Sequence, residues 1–340
     1  MSHHPKIQEL KKSMKPFEVT DHQTSIKQLL NTLVPYVLLW ALAYMTMSIS
    51  YWLAVPVMIL AAGFLVRTFI ICHDCCHQSF FKSRRANDIM GTITGALTHV
   101  PYEQWKNAHN THHASSSNLD KRGTGDMWIM TVDEYRDASL LKRVWYRIYR
   151  NPLMMFGIGP VAVFFIQYRF NVKGARRKER MNTYLTNGLI ASFYIGMMML
   201  LGWQSFLMIQ MPIAWLAGTL GIWLFYVQHQ FEETYFEHDE EWSYVQAAID
   251  GSSYYQLPKV LQWLTGNIGY HHVHHLSPRV PNYKLSEAHE ATPPLHHATT
   301  ITLATSVKSL KYRLWDENRK EFITYKQAKD RMANQRLSAS

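Results

Sequence analysis

Two long blocks of this chain carry no charged side chain. Residues 28–66 and 184–229 contain no Asp, Glu, Lys or Arg. A helix needs roughly 20 apolar residues to cross the hydrocarbon core of a bilayer, so each block can supply two membrane-spanning helices joined by a tight turn. The pattern predicts a polytopic membrane protein built from two helical hairpins, with spans at about 29–49, 52–71, 184–202 and 206–227.

Two further apolar stretches are poorly suited to crossing the membrane. Residues 89–100 are too short, which predicts an interfacial or re-entrant helix. Residues 152–168 are interrupted by Gly157, Gly159 and Pro160 and lead into a basic stretch at 169–180. If they crossed, that basic stretch would lie on the outer face, against the positive-inside rule. We therefore expect 152–168 to be a re-entrant or in-plane segment.

The charges predict which side of the membrane each segment occupies. The net charge of +10 by itself fits nucleic acid, an anionic membrane surface or an acidic protein partner, and the apolar blocks favour the membrane. With four spans, every Lys and Arg except Arg67 falls on one side, and the outer turns are uncharged. Both termini are therefore predicted to be cytosolic, in a plasma-membrane protein that binds no nucleic acid. Arg67 is expected to extend to the interface.

The same pattern gives the domain organisation. Residues 1–27 are polar, contain five lysines and have no apolar core, so they predict a cytosolic arm instead of a cleavable signal peptide. Residues 28–290 would form the membrane domain. Residues 291–340 are polar and predict a cytosolic tail.

Three histidine clusters stand at the predicted cytosolic ends of the spans. Their spacings, H-x3-H and twice H-x2-H-H, place the rings of each cluster on one face of a helix. Eight such imidazoles exceed the four or so ligands of one tetrahedral zinc ion and indicate two metal ions. H-E-x-x-H, the signature of zinc peptidases, is absent, and a nitrogen-only site beside lipid favours iron and dioxygen. The eight are His73 and His77; His109, His112 and His113; and His271, His274 and His275, and the third cluster also contains a ninth histidine, His272.

Three cysteines surround the first cluster. Cys72, Cys75 and Cys76 are too close in sequence to form a disulfide framework. Their thiolates would be good metal ligands, but small apolar packing residues, kept reduced in the cytosol, are the favoured interpretation.

The spacing and placement of the histidine clusters resemble the histidine boxes of membrane fatty acid desaturases, over roughly residues 30–290. Three stretches, 73–81, 117–126 and 269–278, look like the Bacillus-type acyl-lipid delta-5 desaturases in particular. The resemblance implies an all-α fold of four spans with interfacial or re-entrant helices and a cytosolic helical cap that carries a diiron site. It also implies an O2-dependent reaction that introduces a cis double bond, at delta-5, into saturated acyl chains of phospholipids.

The resemblance also implies the metal ligands, and no catalytic residue beyond them. They would be the eight matching box histidines together with His229, which follows the fourth span where the family usually contributes one more. The alternative for His229 is an interfacial residue that caps the span. His272 fills a variable position and is expected either behind the ligands or exposed, and His99 is expected to be structural. The implied ligands are His73, His77, His109, His112, His113, His229, His271, His274 and His275.

Ligating imidazoles usually donate their second N–H to a carboxylate or carbonyl. Six residues are near enough in sequence to accept it, and the sequence does not choose among them: Asp74, Glu103, Asp126, Glu232, Glu233 and Asn267.

The substrate and the electron donor follow from the location and the charge. An acyl chain would reach the irons between the spans, and the basic cytosolic face would hold phospholipid headgroups or dock ferredoxin or flavodoxin as electron donor. Other interpretations stay open: a lipid hydroxylase with the same boxes, a desaturase of other regiochemistry such as delta-10, and a non-catalytic metal-binding or lipid-sensing membrane protein.

Overall fold

Helices dominate the fold. The computed structural model describes residues 7–338. The α-helices are α1 (Ile7–Met14), α2 (His22–Met47), α3 (Tyr51–Cys76), α4 (Arg84–Leu97), α5 (Tyr102–Ser115), α6 (Val132–Asp137), α7 (Leu140–Tyr149), α8 (Arg177–Leu201), α9 (Trp203–His229), α10 (Tyr244–Ile249), α11 (Lys259–Leu264), α12 (His271–Leu276), α13 (Leu285–Glu290), α14 (Leu303–Ser306) and α15 (Tyr325–Ser338). The strands are β1 (Met130–Thr131), β2 (Tyr254–Gln256), β3 (Thr300–Thr302), β4 (Leu314–Asp316) and β5 (Glu321–Ile323).

Four helices of the described chain are long and apolar enough to cross a membrane: α2, α3, α8 and α9. This confirms the four predicted spans and the two hairpins. We compared an apolar stretch of 18 residues in each of these helices. In α3, 61% of this stretch is buried inside the structure, and in α9 39%, against 17% in α2 and 6% in α8. The centre of the bundle is therefore the contact between α3 and α9, whereas α2 and α8 expose apolar side chains, as lipid-facing helices do.

The spans extend beyond their predicted ends on one side. The Asp21 side chain accepts the backbone N–H groups of Gln23 and Thr24, so α2 begins at His22 instead of near residue 29. At the same side of the bundle, α3 continues past residue 71 to Cys76, and α9 continues to His229. We call this side of the bundle the histidine side, because α3 and α9 both deliver histidines to it.

The segment after α7 does not reach the far side of the bundle. It continues as π-helical turns at Leu153–Ile158 and Val161–Ile166, bent by 60° from α7. The Thr219 hydroxyl and the Trp215 indole N–H, near the middle of α9, donate to its carbonyls at 2.8 Å. Arg169, at its end, donates to Asn187 in the first half of α8. The segment therefore enters to mid-depth along α9 and leaves beside α8, as the re-entrant prediction requires.

Helices α4 and α5 form a second excursion that stays on the histidine side. At 14 residues, α4 is too short to cross. It packs on α3, where Cys72 Sγ donates to the Gly91 carbonyl at 3.4 Å, and the chain then turns through His99. Helix α5 starts at Tyr102 and returns the second histidine cluster to the end of α3.

The terminal segments pack onto the rest of the chain over their described residues. Leu10 and Met14 of α1 are buried in a core formed largely by α10, α12 and α13. On the C-terminal side, β3 pairs in parallel with β2, while β4 pairs in parallel with β1 and antiparallel with β5. The division into arm, membrane domain and tail stays a prediction, but the described residues near both ends of the chain pack onto the rest of the protein.

The Arg67 side chain is buried between helices. It is 5% exposed, and its guanidinium lies 3.9 Å from the centre of the Trp263 ring. It donates to the Thr32 hydroxyl at 3.1 Å and to the Trp263 carbonyl. Helices α11 and α2 enclose the side chain and supply its acceptors, and its position relative to the membrane interface stays a prediction.

The contact between α4 and α5 can be tested at Gly91. A Cβ there would lie 2.1 Å from Tyr102 Cε2. We expect Gly91→Ala to lower the free energy of unfolding by about 1–3 kcal/mol, the usual cost of overpacking. Gly188 of α8 is the control, because a Cβ there meets nothing within 4 Å. Gly188→Ala should leave the stability unchanged or raise it by up to about 1 kcal/mol. Unfolding in SDS, followed by circular dichroism, measures both, and equal stabilities would contradict the packing described.

Candidate metal centre

One group of histidines gathers from three helices. His73 lies in the last turn of α3, His77 caps that helix, His109 and His113 lie one turn apart on α5, and His274 lies on α12. One ring nitrogen of each lies within 4.8 Å of the others. His113 Nε2 lies 3.1 Å from His109 Nε2 and 2.9 Å from His274 Nε2. We call these five residues the first group.

A second group lies beside it and draws on α5, α9 and α12. His112, His229 and His275 each place a ring nitrogen within 4.8 Å of the others. His229 Nε2 is 3.2 Å from His112 Nε2. His271 adjoins this second group, since its Nε2 lies 3.0 Å from His229 Nε2. The structure therefore brings all nine predicted ligands together, and His229 lies within the cluster.

The two groups fit metal ions. All of these rings except the half-buried His77 are buried, and Nε2 of His73, His77 and His275 has no hydrogen-bond partner among the described residues. Burial, with a further contribution from neighbouring imidazoles, lowers the pKa of His109, His113, His274 and His275 well below the usual range of histidine. Two nitrogens that each lie about 2.0–2.1 Å from one metal ion are about 3 Å apart, which is the spacing found here. Imidazole nitrogens suit zinc, copper, iron and nickel.

Acceptors behind the rings fix which nitrogen carries the proton. Nδ1 of His73 donates to Asp74 at 3.1 Å, Nδ1 of His112 donates to Asp126, and Nδ1 of His229 donates to the Gly251 carbonyl at 3.2 Å. Carboxylates and carbonyls only accept, so in each ring Nδ1 bears the hydrogen and the Nε2 lone pair is free for a metal.

Asp74 is itself held by a residue that the sequence pattern did not reveal. The backbone N–H and the Nδ2 of Asn282 donate to Asp74 Oδ2 at 2.7 and 2.8 Å. Gln28 of α2 in turn donates to Asn282 Oδ1 at 3.0 Å. Asn282 is 1% exposed. This chain of contacts links α2 to His73, and no spacing or motif in the sequence connects residues so far apart.

The remaining acceptor candidates serve other partners. Glu103 pairs with Lys178 at 2.7 Å, Glu232 accepts the Tyr312 hydroxyl, and Glu233 is exposed. Asn267 donates to the Asn282 carbonyl at 3.1 Å, and so supports the same network one step further out. Of the six candidates, Asp74 and Asp126 are the two that contact a predicted ligand through the side chain.

The comparisons with known proteins agree with this geometry. The family model described as "Fatty acid desaturase" matches residues 50–303. The chain belongs to the fatty acid desaturase family. It is 58% identical over 324 residues to the "Fatty acid desaturase" of Bacillus subtilis (strain 168), which covers 95% of this chain and 92% of that relative.

Two relatives of lower identity are also named as desaturases of acyl lipids or fatty acids. This desaturase is 28% identical over 284 residues to the "sn-1 acyl-lipid omega-3 desaturase (ferredoxin)" of Nostoc sp. (strain 36), over 76% of this chain and 73% of the relative. It is 26% identical over 268 residues to the chloroplastic omega-6 fatty acid desaturase of Glycine max, over 74% of this chain but only 59% of that longer protein.

Histidines and cysteines outside the two groups have separate roles in the desaturase. His272 is fully buried, with Nε2 2.9 Å from His289 Nδ1, so the exposed alternative for it is wrong. His99 Nε2 lies 2.9 Å from the Tyr194 hydroxyl, a structural contact to α8. Buried free thiols that belong to neither group match the packing interpretation for Cys72, Cys75 and Cys76.

Two aromatic rings border the histidines. Trp105 stacks on His109 with ring centres 4.2 Å apart and an angle of 19°. Phe225, one turn before His229, lies 5.2 Å from the His112 ring and 5.0 Å from the His229 ring. A cavity adjoins the second group at this point. It is lined by His112, Ser116, Ser117, Arg122, Asp126, Met127, Ile129, Phe225, His229, Gln230 and Phe236.

The contact of Asn282 with Asp74 predicts an effect on metal binding. We expect Asn282→Ala to weaken metal affinity by about 10- to 100-fold, because Asp74 would lose a donor that orients it toward His73. Metal content after purification and competition with a chelator measure the change. Asn110→Ala on the exposed side of α5 is the control and should bind metal normally. Equal affinities in the two variants would contradict the role of Asn282.

Proposed function

We propose that this acyl-lipid desaturase uses two iron ions and O2 to introduce a cis double bond at delta-5 into saturated acyl chains of phospholipids. The observation that supports it best is the pair of histidine groups at the ends of α3 and α9. Their donor set is nitrogen alone, which suits iron, and they lie where the apolar spans end. An acyl chain between the spans would therefore reach them from the bilayer.

We assign the ligands by group. His73, His77, His109, His113 and His274 would hold one iron, and His112, His229, His271 and His275 the other. When bound, the irons supply the activation of O2. Asp74, Asp126 and the Gly251 carbonyl hold the protons on Nδ1 of their histidines, so that Nε2 stays free to bind.

The reaction needs a separate electron donor. Removing two hydrogens from the chain while one O2 becomes two waters takes two more electrons and two protons. Ferredoxin or flavodoxin would supply the electrons, which is supported by the ferredoxin in the printed name of the Nostoc relative and by the net charge of +10, since an acidic carrier is attracted to a basic surface.

Two features support the lipid substrate and the orientation. The Nostoc relative is named an acyl-lipid desaturase, and the stretches 73–81, 117–126 and 269–278 resemble delta-5 enzymes. The uncharged outer turns and basic segments on the histidine side would place that side and both termini in the cytosol, with the protein in the plasma membrane.

Expression in a host that lacks the activity tests the proposal. We expect a new monounsaturated acyl chain in the phospholipids, with its double bond at position 5. Mass spectrometry of the dimethyl disulfide adducts of the chains locates the double bond. His274→Ala should abolish the product and lower the iron content, because it removes a nitrogen from the first group. His297→Ala, at an exposed histidine, is the control and should retain both. Hydroxylated chains alone, or no product with iron and reductant supplied, would refute the proposal.

A further inference from the structure

The cavity beside Phe225 reaches one of the two histidine groups. Its lining includes His112 and His229 of the second group and no residue of the first. The second group also brings together fewer nitrogens, three mutually close ones with His271 adjoining, against five in the first. The second group therefore has free space beside it and fewer protein ligands than the first.

The lining combines apolar and uncharged polar side chains. Met127, Ile129, Phe225 and Phe236 supply the apolar part, and Ser116, Ser117 and Gln230 the polar part. The two charged residues are already engaged: Arg122 forms paired hydrogen bonds with Glu134 at 2.7 and 3.1 Å, and Asp126 accepts from His112. A cavity with its charges neutralised suits a carboxylic ester and the methylenes next to it better than a phosphate.

We propose that this cavity receives the ester end of the substrate acyl chain and that Phe225 determines which carbon pair lies at the second group. The inference rests on the proposed function. A double bond at position 5 is only a few carbons from the ester, so the ester has to bind close to the metal ions. The cavity contacts two of the predicted ligands, and the Phe225 ring lies 5.0–5.2 Å from both of them.

The direction of the effect follows from the size of residue 225. Replacing the ring by a methyl group enlarges the cavity and lets the ester end move further in, so carbons further from the ester would reach the second group. A larger ring fills the cavity and keeps the ester out. Phe225 is a specificity-determining residue on this account, and it contributes no nitrogen to either group.

Photo-crosslinking tests the cavity without turnover. The probe is a phosphatidylglycerol whose saturated chain carries a diazirine next to the ester, bound to the iron-loaded full chain in nanodiscs without a reductant. We expect labelled peptides from 112–129 and 225–236. Phe225→Trp should lower this labelling by about tenfold, as overfilling of a hydrophobic pocket does. Labelling confined to the lipid-facing sides of α2 and α8, or unaffected by Phe225→Trp, would overturn the proposal.

Product analysis is the second test. Phe225→Ala should shift double bonds to positions further from the ester, and Phe225→Leu should give a smaller shift, both with wild-type iron content. Phe193→Ala, at a partly exposed phenylalanine of α8 outside the cavity, is the matched control and should keep the wild-type position. Unchanged positions in Phe225→Ala would overturn the inference while wild-type product still supports the proposed function. If the wild type makes no product, the proposed function itself fails.

Discussion

The burial of nine imidazoles in one place is the constraint on which the rest of this structure depends. Buried ring nitrogens without partners are costly, and Nε2 of His73, His77 and His275 has no hydrogen-bond partner among the described residues. Cations at the two groups would remove that cost, so metal binding would stabilise the packing of the helices that carry these histidines. The ends of α3, α5, α9 and α12 meet at this point, and their positions relative to one another are fixed by it.

The arrangement also depends on groups that contribute no nitrogen to the cluster. Asp74 is held by Asn282, which is held by Gln28, so the first span and a turn after α12 together orient a ring at the end of the second span. The N-terminal helix α1 buries Leu10 and Met14 against the core that includes α12. The N-terminal segment, which the sequence predicts to be a separate arm, therefore supports the helix that carries His274 and His275.

The two groups differ in ways that matter for the chemistry of a desaturase. The first group consists of five histidines, and Trp105 stacks on one of them, His109. The second has fewer nitrogens, a neighbouring cavity and the Phe225 ring. An acyl chain is unreactive and has no charge near its central methylenes, so selectivity has to come from shape. Apolar walls close to one histidine group provide shape without adding a competing ligand.

By itself, the sequence determined the four spans, the re-entrant segment and the eight histidines of the three spaced clusters, because bilayer thickness and helical spacing act over short stretches of chain. His229 was indicated only by the resemblance to a family. Only the tertiary structure decided how the histidines divide. His112 and His113 are neighbours, as are His274 and His275, yet each pair separates between the two groups, since adjacent helical residues point about 100° apart. The group that each histidine joins depends on packing between helices that are far apart in sequence. The contact of Asn282 with Asp74 depends on the same packing, and no local sequence pattern indicates either.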